Sequence, residues 1–463
     1  MTRDAIDRWV LAGVAGLCAL SGVAVLAIPV AAHAGSLSGS QESLAIPTWL
    51  FLVTGGGAVG ASFLLASFVT DRTFIRSVHS WHRRRALPAR AGLLAAGRAI
   101  GVLGLLLAIL VGFLGPPSPQ GNLAILLVWV GWWAGFTMSS YLLGNAWPVL
   151  NPWRTLARSL PAVGRAYPDR LGAWPSVVAL LGLIWIEIVS PIATDPRALA
   201  TLIVVYSTLT LAGAVVYGSE VWFRRADPIA RVFRYYGRVA PLTTEDSRLR
   251  VRLSGSALTE TRLVDGWDEV GFVIALLWGT TFDGLVLTPA WETFARGVVA
   301  LGVPSGFLYP ACLVAGFGFF FGVYRLAARR SRASARTYRS ASEIARRFAP
   351  SLLAIAAGYH LAHYFDYFLS LVPSLLVVAT SPLSPPATVP QLVLPGWVGG
   401  LALASVLGGH LLAIWVAHAA AYDLFPGRLQ AIRSQYALTA VMIFYTAVSL
   451  WVVSQPSGTP PFV

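Results

Sequence analysis

The sequence predicts an all-α protein, a polytopic transmembrane bundle of about 11 helices, or about 10 if the first is a cleaved signal. Three observations support this fold class. Hydrophobic residues make up 56% of the 463 residues, whereas charged residues make up only 12%. Mostly apolar runs of roughly 18 residues or more recur along the chain, which is the length a membrane-spanning helix needs. The basic residues, all arginine, are concentrated in alternate loops.

The apolar runs define eleven segments whose ends are approximate. They lie at about 9–32, 47–69, 91–114, 122–144, 174–192, 198–222, 267–289, 305–327, 349–376, 397–421 and 435–454. Backbone groups inside lipid must be hydrogen-bonded within the segment itself, so these segments are predicted to be helices rather than strands.

The arginines predict the orientation of the chain. Nearly all of them follow the second, fourth, sixth, eighth and tenth segments, while the alternate loops contain only Arg197 and Arg296. The positive-inside rule therefore predicts a multi-pass protein of the cell membrane with a cytoplasmic N-terminus, unless the leader is cleaved, and with Val463 outside the cytoplasm. We attribute the net charge of +14 to contact with anionic lipid headgroups, which argues against a nucleic-acid partner.

Two regions are expected along the chain. Residues 1–34 form a first transmembrane helix or a signal-like leader, and residues 35–463 form a single transmembrane domain. Cleavage before His33 would create a terminus whose amine and imidazole could chelate a metal, but the apolar run of about 23 residues is sufficient for an uncleaved span. A cytoplasmic loop at about 223–266 contains an alternating stretch at 248–264, which predicts a strand in a surface hairpin with a flanking amphipathic helix.

One predicted helix carries an unusual density of polar residues, in "GYHLAHYFDYFLSL" at 358–371. His360 and His363 are three residues apart and therefore share one face of the helix. Asp366, about one turn beyond His363, and Tyr367, about two turns beyond His360, continue that face. Each ionised side chain at this depth costs about 2.5–3.5 kcal/mol on insertion scales, so a functional role is the better interpretation of the cluster.

The following helix adds His410, in "GGHLLAIWVAH". Counting about 1.5 Å per residue from each helix end places His410 and His360 at a similar depth near the middle of the membrane. Gly408 and Gly409 allow a close approach of the two backbones. His418 lies about 12 Å further along the helix, too far to share one ion with His410.

These residues predict a metal site with nearby carboxylates, because imidazole and carboxylate groups bind borderline divalent metals such as zinc and an open coordination position suits hydrolysis. The predicted metal ligands are His360, His363, Asp366 and His410. Two further buried acids on other helices, Asp283 and Glu187, are the candidate catalytic bases. Three alternatives remain open: a transporter or permease for a metal ion or small solute, a haem b protein with axial ligands His360 and His410, and a structural membrane subunit.

Five stretches resemble a known family, in the order in which the family has them. They are "AHAGSLSGSQESLAIPTWLF", "LLGNAWPVLNPWRTL", "YGSEVWFRRADPIARVFRYYGRVAPL", "GTTFDGL" and "GYHLAHYFDYFL". Together they resemble the fenitrothion hydrolase-like family of polytopic membrane proteins. The resemblance implies a membrane-bound hydrolase that cleaves an organophosphate-like ester of a small-molecule substrate. It supplies no catalytic residues, so the assignments above rest on this sequence alone.

Overall fold

The computed structural model describes residues 48–86, 90–245, 248–456 and 458–463, and the fold is an all-α bundle, as predicted. The first predicted segment and His33 lie outside the described residues. The helices are α1 (Thr48–Phe68), α2 (Arg72–Ser80), α3 (Arg90–Leu114), α4 (Leu123–Leu142), α5 (Trp147–Leu150), α6 (Pro152–Ala157), α7 (Trp174–Val189), α8 (Pro196–Tyr217), α9 (Ser219–Arg225), α10 (Pro228–Tyr236), α11 (Trp267–Leu285), α12 (Pro289–Ala300), α13 (Ser305–Ala335), α14 (Ala341–Phe348), α15 (Leu352–Thr380), α16 (Val398–Leu424) and α17 (Arg428–Val453).

A helix lies in each predicted segment between 47 and 454, but the count of about eleven spans is not confirmed. Among the described residues, seven helices are long and apolar enough to cross a membrane. The number reaches nine if two bent pairs count as spans, α1 with α2 at 114° and α11 with α12 at 86°. Helix α7 has only 16 residues, or about 24 Å, which is shorter than the hydrocarbon core of about 30 Å.

The arginine-rich loops meet at one end of the bundle, which we call the arginine-rich end (residues 70–86, 143–173, 218–245, 248–266, 336–340 and 425–427). Leu242 N donates to Leu143 O over 2.9 Å, which joins two of these loops. Arg346 donates to Asp265 O over 2.7 Å, which joins the loop after the eighth segment to the loop after the sixth. Arg72 donates to Phe425 O over 2.6 Å, and the pairing of residues 82–86 with 248–252 joins the second loop to the sixth. The loops after the even-numbered segments therefore share one end, as the arginine pattern predicts.

The C-terminal residues pack at the opposite end of the bundle. Gly458 N donates to Leu287 O over 2.8 Å, and Tyr309 Oη donates to Pro461 O over 2.6 Å. Both acceptors and donors belong to segments remote from the arginine-rich loops. Different loops therefore form the two ends, as expected when successive segments cross the bundle in opposite directions.

A small antiparallel sheet covers part of the arginine-rich end. Its strands are β1 (His82–Ala86), β2 (Leu242–Glu245) and β3 (Arg248–Arg252), in the order β1-β3-β2. A hairpin was predicted in this loop, but its strand β2 was not, and the strand predicted over 248–264 is wrong beyond Arg252. Gly255 adopts a φ of +76°, which turns the chain, and a single helical turn follows at Ser256–Thr259. Strand β1 was not predicted, because its sequence HRRRA lacks alternation of apolar and polar residues.

Helices α15 and α16 touch backbone to backbone through two glycines. A Cβ atom on Gly358 would lie 2.5 Å from Ser405 O and 2.9 Å from the Cα of Gly409. Gly409 is equally restricted, whereas a Cβ on Gly408 would meet no atom within 4 Å. Of the two adjacent glycines that the sequence offers, Gly409 makes the contact and Gly408 faces away from it.

This contact predicts that Gly358→Ala destabilises the bundle, because the added methyl group meets backbone atoms that can move only together with a helix. We expect a loss of about 1–3 kcal/mol in the free energy of unfolding, seen as a lower midpoint of thermal unfolding in detergent. Gly408→Ala is the matched control and should leave the midpoint unchanged or slightly higher, since alanine favours helix. Equal midpoints for the two variants would contradict the contact.

Candidate functional site

Four side chains from three helices form a connected polar group, which we call the Asp283 cluster (Asp283, His363, Tyr364 and Trp133). Tyr364 Oη donates to Asp283 Oδ2 over 3.1 Å and accepts from Trp133 Nε1 over 3.0 Å. His363 Nε2 lies 3.3 Å from the same Oδ2 atom. The carboxylate of α11 is therefore held by two neighbouring residues of α15, and α4 joins the cluster through its indole.

Local sequence explains why these groups meet. Asp283 is followed by Gly284, at which a Cβ atom would lie 2.2 Å from Tyr359 Oη. The glycine therefore lets α15 approach α11 closely at this depth. His363 and Tyr364 lie one turn beyond Tyr359 on α15, so both reach the carboxylate. The sequence analysis placed His363, as a metal ligand, and Asp283, as a base, in one site, and the two side chains do lie together in the structure.

Glu187 lies beside Asp283 on the neighbouring helix. Ala173 N donates to Asp268 Oδ2 over 2.6 Å, so α7 and α11 begin side by side and run in the same direction. Ile184 packs against Gly279, where an added Cβ would lie 2.2 Å from the isoleucine Cδ1. Glu187 and Asp283 each follow this contact by about one turn. The two predicted carboxylates are consequently at a similar depth, as their sequence positions suggested.

Both carboxylates line a half-open chamber of about 450 Å³. It lies between helices α3, α4, α7, α8, α10 and α11, and it runs from Ile192, beyond α7, to Phe233 at the arginine-rich end. Its wall is apolar except for a few groups, which are Tyr206, Thr280, Tyr364, the two carboxylates and several tryptophan indoles. The sequence analysis missed this chamber. Its signal in the sequence was the tryptophan-rich stretch "VWVGWWAGF" of α4, where six of the wall residues lie.

The chamber wall on α4 has unusual backbone geometry. Residues Leu126–Phe136 form a π-helix, which is wider than an α-helix and is found mostly as single turns near functional sites. Its tryptophans 129, 132 and 133 all face the chamber. The irregular winding thus coincides with the aromatic part of the wall.

The inner end of the chamber is tied to the arginine-rich end by a buried acid. Tyr206 Oη donates to Asp227 Oδ2 over 2.6 Å, and Asp227 Oδ1 accepts from Ala230 N over 2.6 Å as the N-cap of α10. Burial raises the pKa of Asp227 to about 6. The tyrosine and the backbone N–H favour the carboxylate form and limit that rise.

His360 is fully buried in an aromatic environment next to the Asp283 cluster. Its Nδ1 atom lies 3.1 Å from Tyr141 Oη. Its ring centroid is 4.6 Å from that of Tyr364 and 5.9 Å from that of Tyr236. The prediction that His360 faces the protein interior is confirmed by its 0% exposure. Its partners Tyr141 and Tyr236 were missed, because nothing in their sequence spacing relates them to α15.

His410 is also fully buried but bonds to its own helix. Its Nδ1 atom lies 2.8 Å from Val406 O. The contact of Gly409 with Gly358 places His410 near the depth of His360, as predicted. No hydrogen bond, ion pair or ring contact joins His410 to His360, His363 or Asp366 within the described part of the chain.

Asp366 binds its own backbone rather than the histidines. Its Oδ1 atom accepts a hydrogen bond from Tyr367 N over 3.0 Å. Across the described ranges, no group of three or more histidine, cysteine, aspartate or glutamate side chains could hold a metal ion. The arrangement of the four predicted ligands therefore does not fit a shared zinc ion in this structure, and the metal centre stays a prediction.

A haem between His360 and His410 also stays a prediction without geometric support. The chamber is lined by neither histidine. The backbones of α15 and α16 are in contact at Gly358 and Gly409, which leaves no slot for a macrocycle at that level. His418, predicted to be too far away to join His410, donates through Nε2 to Val69 O over 2.8 Å.

Comparisons with protein-family models, with curated proteins and with solved structures give no match. The chamber and the Asp283 cluster are the features of the molecule that bear on its function.

The cluster predicts a stability effect at Tyr364. Tyr364→Phe removes the hydroxyl group between Asp283 and Trp133. The carboxylate loses a buried hydrogen-bond donor and the indole loses its acceptor, so we expect a loss of about 1–3 kcal/mol in the free energy of unfolding. Tyr367→Phe is the matched control, because Tyr367 Oη has no hydrogen-bond partner among the described residues. Thermal unfolding in detergent should show a lower midpoint for Tyr364→Phe alone. A similar shift in both variants would indicate that the hydroxyl bridge contributes little.

Proposed function

We propose that this protein is an integral membrane hydrolase that binds a small, largely apolar ester in the chamber and cleaves it with Asp283 as general base. The observation that carries the proposal is the position of the Asp283 carboxylate, which lines an apolar chamber and is held there by Tyr364 and His363. A pocket that is mostly apolar with a few converging polar groups is the usual form of a small-molecule site.

The chemistry assigns different roles to the two carboxylates. Asp283 takes a proton from a water molecule while the water oxygen forms a bond to the phosphorus or acyl carbon of the ester. The bond to the leaving oxygen then breaks, and that oxygen keeps the electron pair and takes a proton from Glu187. The proton on Asp283 returns to Glu187 through water, which restores both groups. His363 and Tyr364 hold Asp283 in position for this transfer.

The substrate class follows from the chamber wall and from the sequence resemblance. An apolar chamber inside a bundle of membrane helices favours a molecule that dissolves in the bilayer. The resemblance to fenitrothion hydrolase-like membrane proteins implies an organophosphate-like ester, which is such a molecule. A zinc-dependent reaction would require several metal-binding side chains close together, and the described residues contain no such group. The proposed steps therefore use the carboxylates alone.

Transport of a small solute is the second candidate. The length of the chamber, from Ile192 to Phe233, supports it, as do two carboxylates able to carry protons within the membrane. Transport and hydrolysis differ in the fate of the solute. Uptake of an intact ester into vesicles, without release of its alcohol, would favour transport.

The hydrolase proposal predicts release of 4-nitrophenolate from diethyl 4-nitrophenyl phosphate or 4-nitrophenyl butyrate by the protein in lipid vesicles. Asp283→Asn should lower kcat by roughly 10²- to 10⁴-fold, because it removes the general base. Asp169→Asn is the control, since Asp169 is an exposed partner of Arg225 at the arginine-rich end. The proposal fails if wild-type vesicles release no more product than protein-free vesicles. Elemental analysis of the same preparation tests the predicted metal.

We also propose that the arginine-rich end faces the cytoplasm, from the positive-inside rule. Tyr338 and Val393 are the reporters, because both are almost fully exposed and lie in loops at opposite ends of α15. In a chain with Cys18 and Cys312 replaced by alanine, Val393→Cys should react with a membrane-impermeant maleimide on intact cells. Tyr338→Cys should react only after the membrane is opened. The reverse pattern would invert the orientation.

A further inference from the structure

Buried residues close the chamber at both ends of the bundle. At the outer end, Ile192 and Ala193 in the short turn between α7 and α8 are 5% and 0% exposed, and Trp129 Nε1 donates to Ile192 O over 3.2 Å. At the inner end, nearest the arginine-rich end, the ring centroids of Trp147 and Phe233 lie 4.9 Å apart, and these side chains are 6% and 0% exposed. Access to the chamber is therefore from the side of the bundle, between helices.

Helices α3 and α4 both line the chamber, but in the described part of the chain they pack closely only where α4 begins. At that level a Cβ atom on Gly112 of α3 would lie 2.6 Å from the Cβ of Ala200 and 3.6 Å from that of Ala124. Further along, the π-helical part of α4 (Leu126–Phe136) packs on α15, whereas α3 packs on α8, α5 and α6. The two helices therefore separate beside the chamber and leave a gap.

The gap is bordered by small residues of α3. A Cβ atom on Gly101 would lie 1.8 Å from Leu150 O, so α3 is in close contact with its neighbours on both sides of the gap, at Gly101 and at Gly112. At Gly104, between these contacts, a Cβ atom would meet no atom of the described residues within 4 Å, although Gly104 lines the chamber. Helices α7 and α8 also separate, but the residues that they present to the chamber are all larger. The widest opening is therefore beside Gly104.

The outside of this gap is the surface that α3 presents to lipid. Gly104 lies near the middle of α3, which is long and apolar enough to cross a membrane, and residues 99–114 include no charged side chain. Leu103, the neighbour of Gly104, is 63% exposed. Ile100 lines the chamber and is also 62% exposed. One side chain thus belongs both to the chamber wall and to the lipid-facing surface, as expected at the edge of an opening.

We propose that the gap between α3 and α4 at Gly104 is a side entrance through which the hydrocarbon chain of a lipid-like ester enters the chamber from the bilayer. Hydrocarbon makes dispersion contacts with the apolar wall, whereas a water molecule there finds few of the two to four hydrogen bonds that it needs. The inference rests on the proposed function, because it places the ligand in the chamber that Asp283 lines. It adds that the substrate is drawn from the bilayer and carries an alkyl chain.

The test uses an ether-linked phosphatidylcholine that carries a diazirine near the end of one alkyl chain and has no ester bond to the chain. The full-length protein is irradiated in vesicles that contain this lipid, and the labelled residues are mapped by mass spectrometry. Residues 270–284 of α11 are all buried, and Leu276 and Thr280 line the chamber, so label on these two reports a chain inside it. Label on α13, whose Phe307 and Phe319 are exposed, is the reference for ordinary lipid contact.

Wild-type protein should carry label on Leu276 or Thr280. Gly104→Phe places a phenyl ring in the opening, so the label there, relative to α13, should fall roughly fivefold, which corresponds to the loss of about ten dispersion contacts. Gly104→Leu should lower it in the same direction and serves if Gly104→Phe does not fold. Gly92→Phe is the matched control on the same helix. A Cβ atom on Gly92 also meets no atom of the described residues within 4 Å, but Gly92 does not line the chamber, so the wild-type ratio should persist.

Equal labelling of Leu276 and Thr280 in wild-type protein and in the Gly104 variants would overturn the entrance, as would the same loss of label in Gly92→Phe. Wild-type protein that is labelled on α13 but on neither chamber residue would overturn the entry of a chain. Because the ether lipid is not hydrolysed, this result is separate from the activity assay. Hydrolysis without chamber labelling contradicts the inference alone, and chamber labelling without hydrolysis contradicts the proposed reaction alone.

Discussion

The carboxylate of Asp283 imposes the constraint that organises the centre of this bundle. A charged or polar group at membrane depth needs a hydrogen-bonding partner, and lipid hydrocarbon supplies none. Asp283 finds its partners on α15, in Tyr364 and His363, and Tyr364 in turn receives the Trp133 N–H group of α4. Helices α4, α11 and α15 are thereby fixed in depth relative to one another. The chamber depends on this arrangement, because α4 and α11 form its opposite walls.

The sequence contained enough information for the positions of the helices and for which loops share an end of the bundle, because both follow from local properties. Apolar length predicts a helix in membrane, and arginine placement predicts which loops meet, so 47–454 were assigned correctly in outline. Depth was also predictable, since the rise per residue is constant, and Gly409 does lie beside Gly358. Strand β1 lacked any local signal, because its pairing with β3 depends on distant residues.

The direction of each side chain around its helix could not be derived in the same way. His360 and His410 have matching depths, yet the first packs on Tyr141 and the second bonds to Val406 O of its own helix. The rotation of each helix about its own axis depends on how all the neighbouring helices pack against it, and the spacing of residues along the sequence does not predict that rotation. The chamber was missed for a related reason. A cavity forms where side chains of several helices fail to fill the space between them. In the sequence it is marked only by an excess of large aromatic residues and small residues.

The winding of α4 has a consequence for how the chamber could change shape. Asn122 holds the start of this helix through Ala124 N and Val111 O, and Tyr141 binds His360 near its end. Between these fixed points, the π-helical turns of Leu126–Phe136 hold a different number of residues from α-helical turns. Rewinding by one residue would rotate the intervening side chains by about 100°. Such a rotation would break the hydrogen bonds from Trp129 to Ile192 O and from Trp133 to Tyr364 Oη, so these two bonds oppose any rewinding of the aromatic wall.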